Sequence, residues 1–317
     1  MIKSNITVSE VKILLPFCLL ILLSQNLFAE DGKFLEKKLE DKLIQSNIEI
    51  SNWFDGVAEG IDIFLVGQKL TTKKNETSVK IENTTFVKER ENVNNISSLN
   101  VNLRLPNVEE YWQLKFTTYD ENKEKRAAQN GNLRRAPRER NYGASIGVFR
   151  KLGNVRTAFQ PRIDLQDPLS VSHTLTFESV AQQKGYEINP KLQFFANSNQ
   201  GTGVYVALNF NIPLDSIFSV TLINDGEYEE KSHKFDVTNG ISLGQVVSKT
   251  SSLSYNLIFD SNNVTQYALQ TYSVSVGWNQ MLYRNILSYQ IVPYVEFPKP
   301  NGFRGVAGLN FTFALNF

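Results

Sequence analysis

The last fifteen residues of the chain, 303–317, alternate between two kinds of side chain. Every second position is apolar or small, and the positions between are mostly polar; the first set comprises Phe303, Gly305, Ala307, Leu309, Phe311, Phe313, Leu315 and Phe317. Successive side chains of a β-strand point to opposite faces of a sheet, so this period of two predicts a strand with one apolar face. Its length well exceeds the roughly five or six residues of an ordinary strand and narrows the folds available to the chain.

The same alternation recurs from about residue 77 onward, for example in 202–213 and 251–262. Gly, Pro, Asn and Asp, which favour turns, separate the alternating segments. We predict about fourteen strands, or twelve if one hairpin is merged: 77–88, 96–106, 111–120, 141–151, 154–166, 169–181, 186–198, 202–213, 216–227, 234–247, 251–262, 265–279, 285–297 and 303–317.

Strand length separates two fold classes. A soluble β-sandwich rarely repeats such long amphipathic strands, whereas a membrane barrel needs strands of about 9–11 residues with their apolar faces outward. An even number of strands also agrees with closure of an antiparallel barrel. The predicted fold class is all-β: an antiparallel transmembrane β-barrel of about fourteen strands, preceded by a short N-terminal helical segment.

The first 29 residues have the anatomy of an export signal, with a weakly basic start, an apolar stretch from Ile13 to Leu23 and a polar run that ends at Ala29. The apolar stretch is too short to span a membrane. We therefore expect a signal peptide over 1–29, an N-terminal helical arm or linker over 30–76, and the barrel over 77–317.

Apolar residues of the arm recur at four-residue steps, as at Leu35, Leu39 and Leu43, which predicts a helix. The later stretch 61–64 fits a strand equally well. Three roles are open for this segment: a periplasmic arm, a plug, or an amphipathic helix packed on the barrel rim.

Charge and composition exclude several classes of function. The leader holds two of the 33 basic residues and one of the 32 acidic residues, so the remaining charges balance and do not favour nucleic-acid binding. The only cysteine, Cys18, lies in the leader, which leaves no disulfide and no thiol nucleophile. The two histidines, His173 and His233, lack the sequence context of a catalytic site. We expect no cofactor, no metal and no enzymatic activity; an outer-membrane hydrolase is the remote alternative.

The alternation also assigns charged residues to the inward face of the barrel. They are mostly basic in its first half, with some acidic residues such as Glu82, and acidic with almost no basic partners in its second half. The candidate lumen-lining residues are Arg104, Lys115, Arg156, Arg162, Asp225, Asp236, Asp260 and Glu296. Opposite charges on facing walls would create the transverse field of a selective pore, whereas salt bridges among them would fill a closed lumen. The sequence therefore leaves two functions open: a passive pore or transporter for small polar or ionic solutes, or a closed barrel that acts as a structural or interaction anchor.

One connection differs from the short turns. The stretch 120–141 contains seven basic and four acidic residues, which predicts a long, net-positive loop.

The C-terminal strand carries a resemblance to a known class of proteins. Asn310, Leu315 and the terminal Phe317, set among alternating aromatics, resemble the C-terminal strand of Gram-negative outer-membrane β-barrels, although Thr312 stands where glycine is usual. A second resemblance rests on the order of a leader, a short helical arm with Asn52-Trp53-Phe54-Asp55, a strand pair that ends in Leu103-Arg104-Leu105-Pro106-Asn107, and a barrel. This order resembles a set of uncharacterised proteobacterial outer-membrane proteins. These resemblances imply a location in the bacterial outer membrane, with membrane lipid and the barrel assembly machinery as partners and Asn310, Leu315 and Phe317 as the assembly signal.

Overall fold

The computed structural model describes residues 30–69, 71, 77–107, 112–126, 137–165, 167–198, 201–282 and 286–317. The predicted signal peptide, with Cys18, lies outside the described residues, as does the stretch 127–136 of the basic loop.

The chain forms one long helix, a series of antiparallel strands, one short helix and one 3-10 turn. In chain order these are α1 (Glu30–Val66), β1 (Ser78–Lys88), β2 (Asn94–Arg104), β3 (Trp112–Thr117), α2 (Glu121–Arg126), β4 (Gly143–Leu152), β5 (Val155–Asp164), β6 (Ser170–Ser179), β7 (Ala181–Gln183), β8 (Tyr186–Asn197), β9 (Gly201–Pro213), β10 (Phe218–Glu229), β11 (Lys234–Val246), β12 (Ser251–Asn262), β13 (Ala268–Leu282), β14 (Leu287–Pro298), the 3-10 turn Lys299–Asn301, and β15 (Val306–Asn316).

The strands form a closed barrel. Strands that are consecutive in the sequence pair with one another, except that β6 pairs with β8 and not with β7. The ring closes where β1 pairs with β15, from Lys80 opposite Asn316 to Lys88 opposite Gly308. The short β7 follows β6 along the same edge of β8, so the two together occupy one position in the wall. The wall therefore has fourteen strand positions, which confirms the predicted fold class and rejects the count of twelve.

The two faces of the wall have opposite character. Inward positions are buried and largely polar, as at Thr84, Gln193 and Ser275, whereas outward positions are exposed and apolar, as at Val276 and Phe311. A lipid-facing apolar exterior around a polar interior, with no free sheet edge, is the arrangement that bacterial outer-membrane barrels require. The predicted outer-membrane location is confirmed. In such barrels the short turns lie on the periplasmic side.

Helix α1 continues to Val66, so the strand alternative for 61–64 is wrong. The described part of the first of two structural units is the helix up to Asn47. The second unit contains 48–66 together with the barrel. None of the described helices is both long and apolar enough to cross a membrane.

Residues 48–66 pack on the outside of the barrel wall. Ala58 is fully buried against Val79 on β1 and against Val101 and Leu103 on β2, and the cluster also includes Phe54, Ile61, Leu114 and Phe317. Val79 alternates with the inward Glu82 and Thr84 along β1 and so belongs to the outward face. This part of the helix covers the periplasmic end of the wall from outside and does not plug the lumen.

Close packing on the inward face requires glycine at one position of β15. Tyr294 of β14 is 4% exposed and lies opposite Gly308. A Cβ atom built on Gly308 would be only 2.2 Å from Cζ of the Tyr294 ring. The ring therefore occupies the space that a side chain at position 308 would take.

Replacing Gly308 with Val is expected to lower the free energy of unfolding by about 1–3 kcal/mol, because the new side chain overlaps the Tyr294 ring. Urea unfolding of the detergent-folded protein measures this loss. Ala307→Val, on the exposed outward face of the same strand, is the matched control and should change stability little. In a protein that already carries Tyr294→Ala, Gly308→Val should lower the free energy of unfolding by less, because the clashing ring is gone. An equal loss in both backgrounds would contradict this packing.

Candidate functional site

The loop between β3 and β4 folds into the barrel. Its first helical turn, α2, begins where Oδ1 of Asp120 accepts hydrogen bonds from the backbone N–H groups of Asn122 at 3.0 Å and Lys123 at 3.1 Å. An aspartate at this position caps a helix because it satisfies N–H groups that lack partners within the helix. The sequence predicted only an irregular loop here, because this helix has six residues and no apolar periodicity.

Arg138 joins the returning half of this loop to the inward face of the wall. Its Nη1 donates hydrogen bonds to Oε2 of Glu82 on β1 and to Oγ of Ser98 on β2, both at 2.5 Å. Its Nε donates to the two carboxylate oxygens of Glu124 at 3.0 and 2.8 Å. The guanidinium carbon lies 4.0 Å from the centre of the Tyr119 ring. One buried cation is thus held by two carboxylates, a hydroxyl and an aromatic face.

The position of Glu82 shows how deep the loop reaches. Glu82 lies six residues before Lys88, the last residue of β1 at its extracellular end. At about 3.3 Å per residue this corresponds to roughly 20 Å along the strand. Strand β3 ends near this level, since Thr117 lies opposite Asn100 and Glu82 lies opposite Ser98. The loop therefore leaves the wall well below the end of β1, and its side chains narrow the lumen there.

The protonation states of the two central loop groups are fixed near neutral pH. Burial alone would lower the pKa of Arg138, but the hydrogen bond to Glu124 and the charge of Glu82 outweigh burial and raise it. Burial raises the pKa of Tyr119 to about 12, although the charge of Arg138 opposes this shift. Arg138 therefore stays charged and Tyr119 stays neutral at neutral and mildly alkaline pH.

Arg162 holds the two ends of the loop together. Its Nη1 donates to Oγ1 of Thr117 at 2.5 Å, at the end of β3, and its Nη2 donates to the backbone oxygen of Asn141 at 2.7 Å. Its Nε donates to Oδ1 of Asp164 at 2.5 Å, and the Arg162 side chain is 3% exposed. This predicted lumen-lining cation belongs to a buried network that supports the base of the loop.

Lys115 has a similar place on β3. Its Nζ lies 3.0 Å from Oε2 of Glu121 on the loop, and the residue is 7% exposed. The charge of Lys115, like that of Arg162, is therefore balanced by an adjacent carboxylate. Neither residue presents an uncompensated charge to the lumen.

A cavity of about 430 Å³ lies beside the loop within the barrel. Most of the residues that line it are polar, and they come from β1, the loop and β13–β15: Lys80, Glu82, Thr84, Tyr119, Glu121, Glu124, Arg138, Asn279, Gln280, Met281, Ser288, Tyr289, Gln290, Val292, Asn310, Thr312 and Ala314. Sites for small ligands have volumes of roughly 300–1,000 Å³. The cavity is thus large enough for a small hydrated solute.

A second feature of the inward face is a group of four carboxylates, which we call the acidic patch: Asp225, Glu227, Asp236 and Asp260. Asp225 lies opposite Thr238, which in turn lies opposite Asp260, and Glu227 lies opposite Asp236. Thr238 donates a hydrogen bond to Asp260 at 2.9 Å, and Nζ of Lys234 lies 2.8 Å from Asp236. Strands β10–β12 therefore present several carboxylates in adjacent rows near the extracellular end.

The other predicted lumen residues lie near the ends of the barrel wall. Arg104 is exposed at the periplasmic end of β2. Arg156, near the periplasmic end of β5, lies 3.2 Å from Glu178. Glu296 on β14 lies 2.8 Å from Lys88. These three charges therefore lie apart, at one end of the wall or the other, and do not meet at one point.

Sequence reasoning missed most of the loop site. Glu227 lies within β10 on the inward face and belongs to the acidic patch, but it was not among the candidate lumen-lining residues. Arg138, Tyr119 and Glu124 were not identified as lumen residues, because an inward-folding loop has no periodic pattern. The one available signal was an arginine-rich connection in a chain that also carries an inward glutamate, Glu82.

Both histidines lie away from this loop. His173 lies on the outward face, where its ring stacks on Phe159 with centroids 6.3 Å apart. His233 lies in the turn after β10, with its Nδ1 3.3 Å from the hydroxyl of Tyr228. Within the described part of the chain, no group of three or more His, Cys, Asp or Glu residues is arranged to hold a metal.

No family model and no curated protein sequence matches the chain. Among solved structures, a bacterial polysaccharide outer membrane secretin has 10% sequence identity and a TM-score of 0.48, covering 77% of this chain and 99% of that chain. A loop-deletion mutant of OmpT, an outer membrane protein of Vibrio cholerae, has 8% identity and a TM-score of 0.47, covering 76% and 98%. OccK11 of Pseudomonas aeruginosa has 7% identity and a TM-score of 0.44, covering 76% and 95%. Similarities this low indicate no function, and the fold rests on the strand pairing described above.

Replacing Arg138 with Ala is expected to loosen the loop, because Glu82 and Glu124 would lose their shared cation. The measurement is hydrogen–deuterium exchange of the backbone amides in 120–126 and 137–141, which should become faster. The control is Glu139→Gln, which removes the exposed ion pair with Lys123 at 3.1 Å. An exposed pair of this kind contributes little, so exchange in the control should stay close to that of the unmodified protein. Unchanged exchange in Arg138→Ala would show that Arg138 does not anchor the loop.

Proposed function

We propose that this outer-membrane barrel is a non-enzymatic passive pore for small polar or ionic solutes, with the β3–β4 loop as its constriction. The observation that carries the proposal is the polar cavity of about 430 Å³ that lies inside the barrel beside the inward-folded loop. Its charged, hydroxyl and amide groups offer a passing solute hydrogen-bond partners in place of water. An apolar or closely packed interior would not offer such partners.

The way the loop is attached supports a narrowed lumen. The ion pairs of Arg138 and Lys115 join the loop to β1 and β3, and that of Lys123 joins two parts of the loop. These contacts hold the loop to one side of the barrel. The cavity extends from that side along β13–β15.

The distribution of charge favours cations. Arg162 and Lys115 are each compensated by a carboxylate at 2.5 and 3.0 Å. The acidic patch gathers four carboxylates on three adjacent strands, where Nζ of Lys234 lies 2.8 Å from one of them, Asp236. Charges that line a narrow passage with low-dielectric walls act strongly on passing ions. We therefore propose a preference for cations over anions.

Absence of catalysis is part of the proposal. A hydrolase of the outer membrane would need a histidine aimed with its partners into one pocket. His173 faces outward and His233 lies in a turn, so neither supports such a site.

Single-channel recording in planar lipid bilayers tests the pore. The protein is expected to conduct, and Arg138→Ala is expected to increase its conductance, because releasing the loop widens the passage. Lys123→Ala, which removes an exposed cation from the same loop, is the control and should leave the conductance nearly unchanged. If neither the unmodified protein nor Arg138→Ala conducts, the proposed pore is wrong. The alternative function, a closed barrel that acts as an anchor, would then be favoured.

The reversal potential measured in the same bilayers tests the role of the acidic patch. The double variant Asp236→Asn and Asp260→Asn should lose much of the cation preference, since both carboxylates are removed without change of shape. A reversal potential that does not move would contradict the assigned role of the patch.

We also propose that Phe317 belongs to a C-terminal assembly signal, with Asn310 and Leu315, recognised by the barrel assembly machinery. The resemblance of the last strand supports this proposal, and so does the position of Phe317, whose backbone pairs with Val79 of β1 at 2.8 and 3.0 Å where the barrel closes.

Phe317→Asp should therefore reduce the amount of assembled barrel in cells far more than Asn316→Asp, since residue 317 lies on the outward apolar face and residue 316 on the inward face. The fraction of protein that migrates faster on gels without heating measures assembly. Equal yields from the two variants would refute the signal.

A further inference from the structure

The barrel-packed part of α1 exposes an apolar stripe. Trp53 is 63% exposed and Phe64 is 85% exposed, and Ile50 and Val57 are exposed as well. At about 3.6 residues per turn these four side chains lie along one side of the helix. We call them the α1 stripe. Four large apolar side chains aligned in this way are costly to leave in water.

Two carboxylates fix the rotation of the helix on the wall. Oδ2 of Asp62, which is fully buried, accepts hydrogen bonds from the backbone N–H of Asn107 at 2.8 Å and from Nδ2 of Asn107 at 2.7 Å. Asp55 accepts a hydrogen bond from the backbone N–H of Thr77 at 2.9 Å. Thr77 precedes β1 and Asn107 follows β2, both at the periplasmic end. The edge of the helix with the carboxylates therefore faces the periplasmic turns.

The α1 stripe lies on the other edge. By helical periodicity, the packing face runs from Asp55 and Asp62 through Ala58 to Phe54 and Ile61, and the stripe continues beyond Phe54 and Ile61. It is thus directed away from the periplasmic turns, towards the membrane.

The wall beside the helix continues into the lipid-facing surface. Val79 and Val101, beneath the helix, are 3% and 7% exposed, whereas Ile81 and Leu99, two residues further along the same outward face, are 40% and 37% exposed. The lipid-facing surface therefore begins immediately beside α1. The α1 stripe extends that surface outward from the barrel at its periplasmic margin.

We propose that residues 48–66 form an interfacial helix that inserts the α1 stripe into the periplasmic leaflet, alongside the barrel. The α1 stripe would then contact lipid at the boundary between the phospholipid headgroups and the acyl chains. An amphipathic helix lies in this plane with its apolar face about 5–10 Å deep, and tryptophan is enriched at that level. The proposal concerns the outside of the barrel and does not depend on whether the lumen conducts.

Fluorescence quenching by brominated phospholipids in proteoliposomes tests this proposal. Trp112→Phe and Trp278→Phe leave Trp53 as the only tryptophan of the chain. Bromine on the upper acyl chain should remove about half or more of the Trp53 emission, and bromine near the bilayer centre should remove less, as expected for a side chain about 5–10 Å deep.

The matched control moves the probe by one residue. In the same background, Trp53→Phe with Asn52→Trp places the indole on the polar side of the helix, where bromine at either depth should quench little. Equal quenching of the two probes would overturn the proposed orientation. A Trp53 emission typical of water, without quenching, would overturn insertion. If unquenched Trp53 were accompanied by cross-linked dimers that Trp53→Asp abolishes, the stripe would be a contact between two copies, and the proposal would be wrong.

Discussion

The closed ring of backbone hydrogen bonds is the constraint on which the rest of the structure depends. Inside a bilayer an unsatisfied backbone N–H or C=O costs several kcal/mol. The pairing of β1 with β15 removes the two edges that an open sheet would expose to lipid. Once the ring is closed, alternation along each strand sends apolar side chains to the lipid and polar ones to the lumen. The polar interior is thus a consequence of closure.

That polar interior allows a charged loop to fold inward. In an apolar core, Arg138 and Glu82 would have to recover a large desolvation penalty. In this lumen they meet other polar groups, and Arg138 is shared among Glu82, Glu124 and Ser98. Arg162 fixes the base of the loop through Thr117 and Asn141. Short, directional contacts at both the base and the inner end determine where the constriction lies.

Polar contacts also position the helix segment that packs on the outside of the barrel at its periplasmic end. The helix segment 48–66 covers Val79, Val101 and Leu103 with Ala58. A buried aspartate, Asp62, fixes its rotation by accepting hydrogen bonds from Asn107. A hydrogen-bonded carboxylate specifies direction more strictly than apolar packing does. The helix is therefore oriented by polar contacts although it is held by apolar ones.

Much of this could be predicted from the sequence, because alternation is a local property. The strands predicted at 251–262 and 202–213 agree with β12 and β9 to within one residue. Closure with fourteen positions followed from counting such segments, and the helix over the first part of the arm followed from its four-residue steps. Alternation also indicated which side chains of a strand share the inward face, as for Asp225 and Asp260. These predictions succeeded because each depends on neighbours in sequence.

Tertiary structure alone decided which distant residues meet. Arg138 and Glu82 are 56 positions apart, and Asp62 and Asn107 are 45 apart; no periodicity links either pair. The compensation of Arg162 by Asp164 and the attachment of the loop base likewise depend on how β3, β4 and β5 are placed in the wall. The sequence by itself determined a barrel with a polar lumen, because side-chain alternation and strand length depend only on residues that are close together in the sequence. The inward loop and the orientation of the outer helix were decided by contacts that exist only after the ring has closed.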